Sequence, residues 1–331
     1  MLQEVIPPVD RELLATELTE NKFLRNTNYG SRQIFIVTHH DSPNIMREIG
    51  RLREVSFRDA GGGTGNAIDI DEFDTNIVPF KQLIVWDPHD EEIVGGYRYI
   101  QLKDVEVDEN DNFLSPTAHL FKYSSRFIRD FMPVTIELGR SFIQPAYQAS
   151  FNIRKGMFSL DNLWDGLGAL VIENPSVKYF FGKMTMYPHY NSTARDILLH
   201  FLRKYFPDPQ KLVYPKYPVI PEFSSEDADR LFIGSTFEEN YKILNQTIRE
   251  QKENIPPLVN AYMNLSPTMR FFGTSINSEF GEVEETGILI TISDVYEKKM
   301  KRHLATYISK INLRNFKLRI RIPRNESSKG S

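Results

Sequence analysis

The sequence predicts an α/β protein with alternating strand and helix segments, and three observations carry that expectation. Compact apolar runs suited to strands, such as QIFIV at 33–37, precede longer segments whose apolar residues recur at helical spacing. The turn-rich DPHDEE lies between QLIVWD and IVGGYRYIQL, the pattern of an antiparallel hairpin. Further along, VKYFFGKMTMY precedes NSTARDILLHFLRKYF, so strand and helix alternate again, as in a sheet layered with helices.

Residues 1–30 read as an N-terminal arm, and the core is expected to span 31–206. After the first strand, NIMREIGRLREVSFRDAG places Ile45, Ile49, Leu52 and Val55 at helical spacing, and GGGTG at 61–65 ends that helix. The hairpin follows, then a polar excursion through Asp104 to Asp111, then the strand TIELGRSFI. Beyond Pro145, a helix carries Leu160, Leu163, Trp164, Leu167, Leu170 and Val171 as one apolar stripe. VKYFFGKMTMY is the next strand, and Asn191 or Ser192 caps the helix after it. Residues 207–255 open with prolines and read as a helical insertion over the core. Residues 256–295 return to strand character, and 296–331 form a basic helix and tail.

Composition narrows the chemistry. The 331 residues include no cysteine, which excludes disulfides, thiolate metal sites and a cysteine nucleophile. Acyl chemistry would therefore use another group or proceed by direct transfer. There is no apolar run of about eighteen residues, and MLQEVIPPVDRELL lacks the basic start and apolar core of a signal peptide, so cytoplasmic residence is expected. The formal charge of -4 hides a basic end, because Lys298 to Arg324 holds ten Lys or Arg and no acid. Within it, FKLRIRI alternates apolar and cationic residues. It reads either as a solvated edge strand or as a surface for anionic lipid head groups or an acidic partner. GGGTG lacks the Lys-Ser/Thr of a phosphate loop and reads as a flexible lid, while THHD at 38–41 lacks a third ligand at metal spacing. Neither His-x4-Asp nor Gly-x-Ser-x-Gly occurs, and no metal or nucleic acid is expected.

The stretch TIELGRSF sets a geometric problem. In a regular strand Glu137 and Arg140 point to opposite faces. A bulge at Gly139 would insert one residue and turn both to the same side, a device over-represented beside active sites. A strand core gains nothing from an acid there.

Four fragments stand out together: Arg53-x-x-x-Phe57, Asp71-x-x-Asp74, Gly96-Tyr97-Arg98 and Glu137-x-x-Arg140. Their order and types resemble the acyl-homoserine-lactone synthases. MREIGRLREVSFRDAG, DIDEFD, VGGYR and ELGRSFIQPAYQ more closely resemble the ornithine-lipid type N-acyltransferases, whose relatives are sometimes labelled hemolysins. Both families belong to the GNAT superfamily. The resemblance covers residues 33 to 190 well and continues more loosely toward Val295. It implies a mixed sheet, flanked by helices, whose central strands splay at a bulge where the acyl donor enters.

In that reading Glu137 accepts a proton from the acceptor amine, Gly139 makes the bulge cheap, and Arg140 belongs to the same catalytic group. Arg53, Phe57, Asp71, Asp74, Arg98 and Ser141 line the substrate region. For the charged members an ion-pair network holding the N-terminal segments to the sheet is the alternative. Acetyl-CoA enzymes of the superfamily carry an Arg/Gln-x-x-Gly-x-Gly/Ala loop ahead of the helix, to bind pyrophosphate. Here QPAYQASFNIRKGMFSLDNLW offers only Arg154, Lys155 and Gly156. That departure suits a phosphopantetheine arm on an acidic acyl carrier protein better than acyl-CoA, with an exposed turn as the alternative for the basic pair.

The function implied is transfer of a long (3-hydroxy)acyl chain from acyl carrier protein to the α-amine of ornithine or glycine, giving a lyso aminolipid, with no bound cofactor. A signal synthase using S-adenosylmethionine and a non-enzymatic membrane-binding or lytic protein are the alternatives. Peripheral contact with an anionic membrane would run through the basic tail.

Overall fold

The computed structural model describes residues 2–307, and FKLRIRI at 316–322 lies outside them. The strands are β1 (Phe23–Asn26), β2 (Gln33–Val37), β3 (Lys81–Asp87), β4 (Glu92–Gln101), β5 (Phe121–Tyr123), β6 (Thr135–Ile143), β7 (Tyr179–Met186), β8 (Val213–Pro215), β9 (Arg270–Asn277) and β10 (Val283–Thr291). Eight of them form one mixed sheet in the order β1-β2-β3-β4-β6-β7-β10-β9, while β5 and β8 pair separately. Every neighbouring pair is antiparallel except β6 and β7, which run parallel. The helices are α1 (Arg11–Glu17), α2 (Pro43–Asp59), α3 (Glu72–Thr75), α4 (Ile153–Gly156), α5 (Ser159–Glu173), α6 (Ser192–Tyr205), α7 (Ser225–Leu231), α8 (Phe237–Glu250), α9 (Pro257–Met263) and α10 (Glu297–His303).

Local chemistry sets these boundaries. Pro43 sits in the first turn of α2, where its missing N–H costs nothing. The Asn191 side chain accepts from the Ala194 N–H and caps α6, as its sequence predicts. Asp71 and Asp74 cap α3 reciprocally, each carboxylate accepting the other's backbone N–H.

Strand alternation divides the core between two sheet faces. Leu83, Val85, Tyr97, Ile136 and Leu138 pack with α5, α6, α8 and α9 on one face. On the other, Ile84, Trp86 and Phe142 pack with α2, and Ile100, Phe181 and Phe272 pack with Phe121 of β5. The stretch 207–255 is built into the first core rather than laid over it, since Phe232, Leu244 and Ile248 are buried there. The N-terminal arm likewise supplies an edge strand, β1, and buries Leu14 against α2.

One break in the sheet positions everything that follows. β6 and β7 pair only at Thr135↔Tyr179, Ile136↔Phe180 and Glu137↔Phe181. Beyond Glu137 they splay, as the family resemblance implies, leaving β6 bonded to β4 alone.

Candidate active site

A belt of charged side chains crosses the second sheet face between its two apolar clusters. Arg53 of α2 is wholly buried. Its guanidinium donates to Asp74 Oδ2 at 3.0 Å and to Gln82 Oε1 at 2.5 Å. Gln82 donates in turn to Asp74 Oδ1 at 2.9 Å. Arg98 of β4 reaches both Asp71 oxygens at 2.7 Å and Asp74 Oδ2 at 3.2 Å. Burial alone would raise the Asp74 pKa, but Arg53 and Arg98 outweigh it and hold the carboxyl well below the usual range. Burial likewise opposes the charge on Arg98, and Asp74 and Asp71 outweigh it, so that pKa is raised. Arg53, Asp71, Asp74 and Arg98 are thus brought together as a network tying α2 and α3 to the sheet.

The bulge in β6 exists, but Gly139 does not carry it. Gly96 pairs with Phe142 and Arg98 with Gly139, so Arg140 and Ser141 stand together opposite Tyr97. The left-handed backbone belongs to Arg140, at φ 47°. Gly139 has no positive φ, and a Cβ there would lie 3.6 Å from Arg98 Nε, an ordinary contact. The inserted residue shifts the alternation: Leu138 packs on the α5 face, whereas Phe142 packs with Trp86 and Phe280 on the other. Arg140 therefore shares the face of Glu137. Its Nε lies 2.8 Å from Asp69 Oδ2 without the N–H being aimed at it, and its guanidinium stacks 4.3 Å above the Phe280 ring.

Glu137 is the last residue of β6 paired to β7, and it is buried. One carboxylate oxygen accepts the Thr117 N–H at 3.3 Å, and the other has no partner. Burial pushes its pKa up, against lowering by the hydroxyls of Ser115 and Thr117 and by Lys183 and Arg98. Glu137 lines a cleft of about 280 Å3 between the splayed strands, with Phe57, Arg98, Arg140, Ser141 and Lys183 also on its wall. The cleft adjoins a polar chamber of about 610 Å3; both are bounded by Arg98, Arg140 and Lys183. On the α5 side, Leu138 and Tyr262 are shared with an apolar pocket lined by Trp164, Leu167, Phe180 and Ile290. A polar chamber on one side and an apolar pocket on the other thus meet where β6 leaves β7.

The basic residues before α5 are arranged differently from expectation. Arg154 is exposed, but Lys155 pairs with Asp90 at 2.5 Å and lies over the Tyr147 ring. Gly156 serves close packing, because a Cβ there would come within 2.3 Å of the Ala149 nitrogen. GGGTG is no free lid either. The buried Glu54 carboxylate accepts from the N–H and hydroxyl of Thr64 and from the N–H of Gly65, so the loop is wound around it.

Sequence reasoning missed Lys183 and Glu285 in the cleft wall, together with Thr117 and Tyr262. Lys183 did carry a signal, as the single charge in YFFGKMTM, whereas Glu285 stands beside Glu284 in VEETGILIT.

Residues 52–155 match a family profile described as "Acetyltransferase (GNAT) domain". A glycine N(alpha)-acyltransferase of Bacteroides thetaiotaomicron is 57% identical over 307 residues, covering 93% of this chain and 91% of the relative. A glycine N(alpha)-acyltransferase of Phocaeicola vulgatus is 52% identical over the same length, covering 93% and 94%. A solved CoA-dependent acyl-homoserine lactone synthase is 13% identical, with a TM-score of 0.28 over 46% of this chain and 66% of its own. On the extent and identity of the first two matches, this chain belongs to the glycine N(alpha)-acyltransferase family and is an N-acyltransferase with a GNAT domain.

Proposed function

We propose that this chain transfers a long acyl chain, 3-hydroxyacyl chains included, from acyl carrier protein to the α-amine of glycine, yielding an N-acylglycine as a lyso aminolipid. The observation that carries this reading is the buried Glu137 carboxylate, with one oxygen unpartnered, at the point where β6 parts from β7. The thioester enters through the splay, and its chain runs toward the apolar pocket beyond Leu138, which holds about 60 Å3 of open space. The acceptor arrives from the polar chamber as a zwitterion. Its ammonium loses a proton to Glu137, directly or through one water, and the free amine attacks the thioester carbonyl. A backbone N–H of β6 left without a β7 partner stabilises the oxyanion. Collapse breaks the C–S bond, and the departing thiolate takes up the proton that the attacking nitrogen sheds as it becomes an amide.

Glycine is favoured as acceptor by the two relatives named for it, with ornithine as the competitor. Carrier protein is favoured as donor by the exposed Arg154 and by a sequence without a pyrophosphate loop. Among the described residues, no helix is long and apolar enough to cross a membrane. Peripheral contact with anionic lipid is assigned to the basic segment at 316–322.

The test offers purified protein 3-hydroxyacyl carrier protein and each amino acid in turn, with products read by mass. N-acylglycine is expected as the dominant product. Efficient, salt-insensitive turnover with acetyl-CoA would defeat the carrier-protein reading.

A further inference from the structure

The cleft presents three cations, and they are not equally occupied. Arg98 faces two carboxylates, Asp71 and Asp74, through its Nη1, and its Nε is buried without a partner. Arg140 lies between Asp69 and Asp71 and is covered by the Phe280 ring. Lys183 of β7 differs: among the described residues its one ion-pair partner is Glu285, at 3.3 Å. Glu285 is itself fixed, because its other oxygen accepts the Thr185 hydroxyl at 2.9 Å. An ammonium group has three donors, so one carboxylate leaves capacity on Lys183 for another.

Placement adds to occupancy. Lys183 follows Phe181, the register partner of Glu137, by two residues, so it lies on the same sheet face just beyond the last paired position. It bounds both the 280 Å3 cleft and the 610 Å3 chamber. A small zwitterion passing from the chamber to the splay therefore meets a cation with spare donors beside a carboxylate with a free oxygen. An α-amino acid carries the complementary pair, an anionic carboxylate next to the ammonium that must lose a proton.

We propose that Lys183 binds the α-carboxylate of the acceptor amino acid, with Glu285 as a positioning residue that holds the Lys183 ammonium in the cleft. This rests on the reading of the acceptor as an amino acid. Held in this way, the carboxylate fixes one end of the molecule and directs its nitrogen toward Glu137. Recognition then depends on the carboxylate and not on a side chain, which suits glycine.

The test compares glycine with glycinamide, which keeps the α-amine but lacks the anionic carboxylate. The protein as it stands should prefer glycine in kcat/KM. Lys183→Met should shrink that preference by about ten- to a hundredfold, the scale of a charge-assisted hydrogen bond. Lys183→Arg, which keeps the charge, should retain most of it. Should Lys183→Met fail to fold because Glu285 is left unpaired, Lys183→Met/Glu285→Gln removes that charge and should show the same shrinkage. A merely structural lysine would lower both acceptors alike, and an undiminished preference in a folded variant would overturn the assignment. Failure of the unaltered protein to acylate any amino acid would instead defeat the function proposed above. Acylation of glycine with a preference indifferent to Lys183 would defeat this assignment alone.

Discussion

Arg53 and Asp74 form an ion pair at 3.0 Å in which neither side chain is exposed to solvent. Removing one partner of such a pair leaves the other charge buried. Asp74→Ala should therefore cost about 3–5 kcal/mol in urea unfolding, and Asp71→Ala clearly less, because the Asp71 side chain is 29% exposed. Since the folded pKa of Asp74 is depressed, its contribution is present above the unfolded pKa and is lost as pH falls through the folded value. Asp74→Asn should remove that part of the acid sensitivity. Equal losses for the two aspartates would mean that the network does not depend on burial.

Arg140 holds the bulge at φ 47°, a conformation that costs an L residue about 1–2 kcal/mol. Arg140→Ala and Arg140→Gly both lose the contact with Asp69, but only glycine escapes the strain. Arg140→Gly should be the more stable by about 1 kcal/mol in thermal or denaturant unfolding. Gly139→Ala, by contrast, should change stability by less than about 1 kcal/mol, because its Cβ has room. A reversed order would return the bulge to Gly139.

Those two residues show where the sequence was legible. Helical periods and apolar runs placed α2, α5, α6 and the strands β2, β3, β4, β6, β7, β9 and β10, since each follows from which side chains face an apolar core. That Glu137 and Arg140 share a face followed from the oddity of an acid and a base three apart. Which residue bears the strain did not, because glycine permits a positive φ without requiring it. Lys155 read as a free cation because its partner, Asp90, is 65 positions away and meets it only after folding. The pairing of Lys183 with Glu285 was hidden for the same reason, since it depends on β10 lying beside β7. The short α3, α4 and α9 carry too few turns for a period to show.

The donor side makes a separate prediction. Arg154 is exposed, whereas Lys155 is engaged by Asp90, whose carboxyl is held low chiefly by that bond and by the Tyr147 hydroxyl. Arg154→Glu should raise the KM for acyl carrier protein several-fold and flatten its salt dependence, since exposed charges are screened over about 10 Å at 0.1 M. Free acylpantetheine, lacking the acidic carrier protein, should be affected less. An unchanged KM would place the carrier elsewhere.

Glu137 links stability to chemistry. Its folded pKa is raised by burial, so its contribution to folding is fully present below the unfolded pKa and is lost as pH rises through the folded pKa. Glu137→Gln should consequently be at least as stable as the unaltered protein at pH 7, measured by thermal unfolding. A large loss of stability would make Glu137 a structural acid.

The most direct measurement is single-turnover acylation of glycine from 3-hydroxyacyl carrier protein by the unaltered protein and by folded Glu137→Gln, followed by mass across pH. The unaltered protein should form N-acylglycine at a rate that rises with pH through a pKa above the ordinary glutamate range, and the variant should be slower by about a hundredfold or more. Equal rates and equal pH profiles in the two proteins would contradict a proton transfer to Glu137.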